Sequence, residues 1–365
     1  MDVLVRGTGG PDGYPQPDCR CASCSAARRE GVARAPAELL IDGIVPIGGA
    51  RSRAPAPLPG GYHAEQVTGG LEITAPDGSR LLWAAAPGAA PEPPERAAPY
   101  DVALLDLLAD PGQLGGLRRR GLVTSSTTVA AIHIDHRAPS RRELERRLRM
   151  WRVTPLDDGS RLTVSPGGRD GLRGLPRPQA PWRVLMLGGA SSGKSREAEL
   201  RLAGEPEVIY VAASGPAAPG GAEWERRVAA HMARRPAWWR TEETTDVAAV
   251  LRAATGPVLV DSIGTWLAAV MDECGLWRCP PGEPAAARRL AGRIGELVAA
   301  WREARSCVIA VSDEAGSGVV PGTESGRIFR DELGRLNQIL VAESEEALLV
   351  VAGRVLPLPG LAESC

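Results

Sequence analysis

The stretch Gly188-Gly189-Ala190-Ser191-Ser192-Gly193-Lys194-Ser195 constrains this chain more than any other. An apolar run, 184–187, leads into it, and a segment of helical period, Lys194–Leu202, follows. A strand that passes through G-x-x-x-x-G-K-S into a helix is a phosphate loop in the context it requires. Glycines let backbone N–H groups turn inward around phosphate oxygens. The helix N-terminus adds partial positive charge. Lys194 is placed to reach β- and γ-phosphates, and Ser195 to ligate Mg²⁺. Of 43 basic residues Lys194 is the sole lysine, just as Asn337 is the sole asparagine and Phe329 the sole phenylalanine. All three have A/T-rich codons, which points to a G/C-rich genome. Where arginine could serve, this chain uses arginine, so Lys194 marks a place where a compact ammonium is needed.

The residues around the loop alternate strand and helix. Strands are expected at 183–187, 208–212, 257–260, 307–311 and 347–351, the last of the chain. Helices are expected at 194–202, 222–234, 247–253, 285–305 and 328–341. Short apolar strands between helices imply an α/β fold with a mainly parallel sheet covered on both faces. The strand at 257–260 ends in Asp261, a carboxylate able to hold Mg²⁺ directly or through water.

At 365 residues the chain is long enough for two domains. A stretch rich in glycine, proline and arginine, 165–181, reads as a linker between a domain at 1–164 and a P-loop domain at 182–365. Two further Ala/Pro/Gly-rich stretches, 51–61 and 86–99, read as surface loops. A net charge of −1 argues against a polyanion binder, so no nucleic-acid partner is expected. No apolar run reaches the roughly 18–20 residues of a membrane span, and the first residues lack a secretory pattern. A soluble cytoplasmic protein is the expectation. In the first half, strands are expected at 1–6, 71–74, 80–84, 102–108 and 129–133. A helix at 140–151 has Ser140 and Glu143 spaced as a capping box, with Glu143–Arg147 and Glu145–Arg149 as charge pairs on its solvated face.

Beyond the loop, an ordered set of segments carries a resemblance. They are the loop with Arg196, then 208–214, then 223–231 with Arg235-Pro236 and 239–243, then 312–321, then 329–338. Together they resemble the bifunctional adenosylcobinamide kinase / adenosylcobinamide-phosphate guanylyltransferase family of cobalamin assembly. The resemblance implies that ATP or GTP phosphorylates adenosylcobinamide, and that GMP is then transferred from GTP to give adenosylcobinamide-GDP. It implies that His231 attacks the α-phosphate of GTP. A neutral imidazole is a nucleophile at pH 7, and a phosphoramidate splits the transfer into two easier displacements. It further implies nucleotide contacts from Ala212, Ala213, Ser214, Met232, Ala233, Arg234, Arg235, Glu243 and Asp261, and a homo-oligomer, a trimer. Two departures stand out: Asp313 where the family usually has asparagine, and a looser match at Ser262-Ile263-Gly264. If Asp313 faces phosphate, an amide donor is lost and like-charge repulsion added. A catalytically inactive nucleotide-binding regulator is the alternative reading.

Three of the seven cysteines, Cys19, Cys21 and Cys24, lie close together. In a cytosolic chain such a cluster points to a metal rather than a disulfide framework, with free thiols near a turn as the plain alternative. The opening segment resembles metallo-β-lactamase-fold phosphodiesterases of the phosphonate-breakdown type. In those, C-x-C-x-x-C and the last histidine of a later H-x-x-H bind a structural zinc. The matching residues here are Cys19, Cys21, Cys24 and His136, a normal closed tetrahedral zinc shell. The fold's hydrolytic site needs H-x-H-x-D-H after a central strand. The corresponding stretch, 104–111, holds no histidine, and only His63 and His133 remain in this half. The expectation is a degenerate αββα metallo-β-lactamase-like domain without hydrolytic chemistry, against the alternative of an active metallohydrolase.

Overall fold

The computed structural model describes residues 1–48, 58–85, 98–167, 182–214, 232, 234–277 and 284–359. The expected loops at 51–61 and 86–99, most of the linker, and the helix at 222–234 lie largely outside the described residues. The chain divides into two compact units. One is Met1–Arg177 with Ala203–Pro206, the other Pro178–Leu202 with Glu207–Cys365.

In the first unit β1 (Asp2–Gly7), β2 (Glu38–Ile41) and β3 (Val45–Gly48) are followed by β4 (His63–Val67), β5 (Gly70–Thr74) and β6 (Arg80–Ala84). Then come β7 (Val102–Leu105), β8 (Thr128–Ala131) and β9 (Arg161–Thr163). They form two sheets, β3-β2-β1-β9 and β4-β5-β6-β7-β8. Val3, Val5, Leu39 and Ile41 of the first sheet share one core with Ile73, Leu81, Trp83 and Leu104 of the second. The sheets therefore pack face to face, each contributing alternate residues. All four residues of β7 are buried, so its outer face is covered as well. The helices are α1 (Ala22–Glu30), α2 (Gly112–Arg119) and α3 (Arg141–Trp151). Ser140 caps α3 by accepting the Glu143 N–H at 3.2 Å. The Glu143 carboxylate turns to Arg146 and Arg147 at 2.8 Å instead of closing the expected box, and Glu145 pairs with Arg141.

The second unit holds β10 (Trp182–Gly188), α4 (Lys194–Leu202), β11 (Ile209–Ala212), β12 (Arg240–Glu243), α5 (Val247–Ala253) and β13 (Val258–Asp261). It continues with α6 (Ile263–Glu273), α7 (Pro284–Glu303), β14 (Cys307–Asp313), α8 (Glu324–Ala342), β15 (Glu346–Val351) and β16 (Arg354–Pro357). One sheet runs β12-β11-β13-β14-β10-β15-β16, parallel except for the final pair. The expected last strand is thus followed by an antiparallel edge strand. Leu185 and Leu187 face a core shared with Leu251, Trp266, Leu297, Trp301 and Leu336 of α5 to α8. Val184 and Met186 face the opposite side, with Ala198 and Leu202 of α4. Burial on both faces explains why these strands read as continuous apolar runs.

Candidate functional site

The chain leaves β10 for β11 on one side, whereas β14 leads to β15 on the other side of β10. Strand order reverses there, and ligands of open α/β sheets bind outside the carboxyl ends of strands at such a point. Parallel register brings the strand ends into one row. Ala212 lies between Glu243 and Asp261, Asp261 beside Val311, and Asp313 beside Gly188.

The loop follows from local rules. Ser191 and Gly193 adopt positive φ, 55° and 98°. Gly188 is required by close approach, because a Cβ there would lie 2.6 Å from the Val350 carbonyl oxygen. The Ser192 carbonyl accepts from the Gly353 N–H at 2.8 Å, so the β15–β16 turn braces the loop. Lys194 Nζ donates to the Gly189 carbonyl at 3.1 Å and lies 2.7 Å from Asp313 Oδ1. Ser195 Oγ donates to Asp261 Oδ1 at 3.3 Å. Two hard oxygen donors side by side, at the end of the loop helix, fit Mg²⁺.

Asp261 Oδ2 accepts from the Tyr210 hydroxyl at 2.9 Å. Burial and the neighbouring Asp261 charge push the Tyr210 phenol well above its usual range, so it stays a proton donor to the carboxylate. Arg235 stacks on the Tyr210 ring, 3.6 Å from its centroid. Arg234 Nε lies 2.8 Å from Glu199 Oε2, and the hydrogen bond to Glu199 holds its guanidinium above the usual arginine range. Tyr210 and Glu199 were not singled out in the sequence. Both anchor side chains of the histidine segment's end, and no spacing rule reveals them. Ala213 and Ser214 follow β11 in a turn, and Met232 is exposed. His231 and Ala233 lie outside the described residues.

In the first unit Cys19, Cys21, Cys24 and His136 bring one ligand atom each within 4.8 Å of one another. His136 Nδ1 is 3.9 Å from Cys19 Sγ and 3.8 Å from Cys24 Sγ. Cys21 is the N-cap of α1, its sulfur accepting the Cys24 N–H at 3.4 Å. That hydrogen bond lowers the Cys21 thiol, whereas burial pushes the Cys24 thiol up to about 11. The Arg28 guanidinium fastens the approach by donating to the carbonyls of Gln16, Pro17 and Cys19. Three sulfurs and one imidazole at this spacing match a closed tetrahedral zinc shell.

Among the described residues the acids near β7 do not match a hydrolytic metal centre. Asp106, just past β7, is buried, with Oδ2 3.4 Å from His133 Nδ1. The cation among these acids is Arg137, 3.2 Å from Asp106 and 2.8 Å from Asp135. Burial works against the Arg137 charge, but the Asp135 hydrogen bond and the Asp106 charge outweigh it and raise its pKa. Both carboxylates are already engaged by one shared guanidinium. His63 lies apart, exposed on β4. Among the described residues, the cysteine–histidine group is the one place where three or more His, Cys, Asp or Glu ligands come together.

The family model for cobinamide kinase / cobinamide phosphate guanyltransferase matches residues 184–358. The bifunctional adenosylcobalamin biosynthesis protein CobP of Pseudomonas aeruginosa is 42% identical over 184 residues, covering 49% of this chain and 98% of that protein. The chain belongs to the cobinamide kinase / guanylyltransferase family. The bifunctional adenosylcobalamin biosynthesis protein CobU of Salmonella typhimurium is 35% identical over 176 residues, 47% of this chain and 96% of its own. Among solved structures, zinc-bound PqqB from Methylobacterium extorquens covers 45% of this chain and all of its own at 15% identity and a TM-score of 0.31. A type III secretion ATPase covers 46% of this chain and 51% of its own at 14% identity and a TM-score of 0.32. Likenesses at these scores add nothing to the fold read from the strands. The family match spans the loop, Asp261 and Asp313, the positions the sheet register gathers at one edge. Among the described residues no helix is long and apolar enough to cross a membrane.

Proposed function

We propose that the second unit carries out two successive reactions on one corrinoid arm. In the first, ATP or GTP phosphorylates the terminal hydroxyl of the aminopropanol arm of adenosylcobinamide. In the second, His231 takes GMP from GTP with loss of pyrophosphate, and the corrinoid phosphate then displaces the histidine to give adenosylcobinamide-GDP. The observation that carries this reading is the contact set of Lys194, Ser195 and Asp261 at the carboxyl edge of the sheet. It sits in a chain 42% identical to a bifunctional relative over nearly all of that relative's length.

Each residue then has a task. The N–H groups of residues 189–193 cradle the phosphates, and Lys194 meets the charge on the transferring group. Ser195 and Asp261 would hold Mg²⁺, which would supply charge neutralisation to the bound phosphates. Tyr210 keeps Asp261 oriented by its hydrogen bond. Ala212, Ala213, Ser214 and Glu243 line the nucleotide beyond the loop. Met232, Ala233, Arg234 and Arg235 flank it next to the nucleophile. The first half, 1–164 with the linker 165–181, is read as a metallo-β-lactamase-like domain that has lost its hydrolytic metals and keeps a structural zinc on Cys19, Cys21, Cys24 and His136. The whole is read as a cytoplasmic homo-oligomer.

The test supplies adenosylcobinamide with ATP, and adenosylcobinamide phosphate with GTP, in separate reactions with Mg²⁺. We expect the phosphate ester from the first, and adenosylcobinamide-GDP with stoichiometric pyrophosphate from the second. Absence of both products from folded protein would contradict the reading in favour of a nucleotide-binding regulator.

A further inference from the structure

Asp313 is the last residue of β14 and stands opposite Gly188, the last residue of the loop strand. Its Oδ1 is 2.7 Å from Lys194 Nζ. The lysine side chain is 11% exposed and the aspartate's 41%. An enclosed ammonium is therefore held by a carboxylate that reaches it from the open side. The carboxylate is itself well placed. Asn337 donates its Nδ2–H to the Asp313 carbonyl at 3.1 Å, while its Oδ1 accepts from Ser312 Oγ at 2.6 Å. Asn337 is 4% exposed, so the end of β14 is anchored from within the core. Gly264, in the first turn of α6, leaves room for the other oxygen, since a Cβ there would lie 2.9 Å from Asp313 Oδ2. Asp313 and the segment Ser262-Ile263-Gly264, far apart in sequence, are fitted to one another in space.

A polyphosphate seated on the loop presents anionic oxygens to the same ammonium. Carboxylate and phosphate then compete for one cation. With phosphate in place, the carboxylate also faces like charge at short range. We propose that Asp313 is a binding-site residue that sets the affinity of the loop for polyphosphate, acting as a built-in competitor for Lys194. This rests on the loop being the nucleotide site of the proposed function. It also gives the charge a use. Both reactions draw a nucleotide onto one loop, and the first nucleoside diphosphate must leave before the second reaction begins. A site that held polyphosphate as tightly as its cation allows would slow that exchange.

The test titrates inorganic tripolyphosphate, and separately Mg-GTP, into the full chain by calorimetry. The wild type is compared with Asp313→Asn, Asp313→Ala and Lys194→Ala. Asparagine keeps the shape and removes the charge, and alanine serves if that variant does not fold. We expect tripolyphosphate to bind about tenfold more tightly to the Asp313 variant. A merely structural role would leave affinity unchanged or weaken it. Either of those results, with Lys194→Ala still losing binding, overturns the competition and leaves the loop intact as the site. Wild-type affinity in Lys194→Ala would remove the loop reading, and this proposal with it.

Discussion

Lys194 has no understudy. Every other basic residue is an arginine, and its ammonium fits between the Gly189 carbonyl and Asp313 with little of the side chain exposed. A planar guanidinium is wider and needs several hydrogen-bond partners in a plane. We therefore expect Lys194→Ala and Lys194→Arg both to weaken GTP binding by roughly tenfold or more in a calorimetric titration. Near-wild-type affinity in both would take the loop out of the site. The placement of Lys194, Ser195 and Asp261 at one end of the sheet was legible because each position follows from a short local pattern, a glycine turn or an apolar strand end. The partner of Lys194 was not. Asp313 reaches it through the pairing of β10 with β14, and no local pattern encodes which strands of a parallel sheet are neighbours. The sequence therefore suggested repulsion of phosphate by Asp313, where the structure shows first an ion pair with the lysine.

At the level of elements, the end of β14 depends on α8. Asn337 is buried on α8 and satisfies both the Ser312 hydroxyl and the Asp313 carbonyl. Ser312 is fully buried, so its hydroxyl has no route to bulk water. Asn337→Leu should cost about 1–3 kcal/mol for polar groups left without partners. A denaturant midpoint unchanged from wild type would show that the bridge does not stabilise the fold. Helices α4 and α5 were legible to the residue: α4 mixes charged with apolar positions, and α5 places Val247, Ala248 and Leu251 on one face. Helix α6 was not: residues 263–271 are almost all apolar or small, so the sequence shows little contrast, although burial falls on one stripe of Ile263, Gly264, Trp266, Leu267, Val270 and Met271. Its start is set by Ser262, which accepts the Thr265 N–H at 3.2 Å in a capping box built with threonine in place of the usual glutamate. Strand β16 was missed because its residues are largely exposed and show no alternation. Strands β2 and β3 alternate well, but each has only four residues.

For the molecule as a whole, the two units make separable claims. In the first, a closed ligand shell and a guanidinium among the acids lead to one expectation: about one zinc per chain, none of it catalytic. Metal analysis of the wild type against a Cys21→Ser, Cys24→Ser variant checks this, and equal zinc in both would exclude the cluster as the site. With Arg137 occupying the space between Asp106 and Asp135, no hydrolysis of an aryl phosphodiester is expected with zinc or manganese. A robust metal-dependent rate would restore the active hydrolase. In the second unit the two reactions share the loop but differ in nucleophile. On the proposed mechanism phosphoryl transfer to the corrinoid hydroxyl is direct, whereas guanylyl transfer passes through a covalent histidine. His231 is the only histidine of that half, so no other imidazole can replace it. The most direct measurement incubates wild type and His231→Asn with GTP labelled in the α-phosphate and Mg²⁺, without corrinoid, and recovers the protein. The wild type should carry an acid-labile, base-stable label, and His231→Asn none while keeping measurable phosphorylation of adenosylcobinamide by ATP. A His231→Asn protein that takes up the label, or makes adenosylcobinamide-GDP at the wild-type rate, would contradict the covalent mechanism.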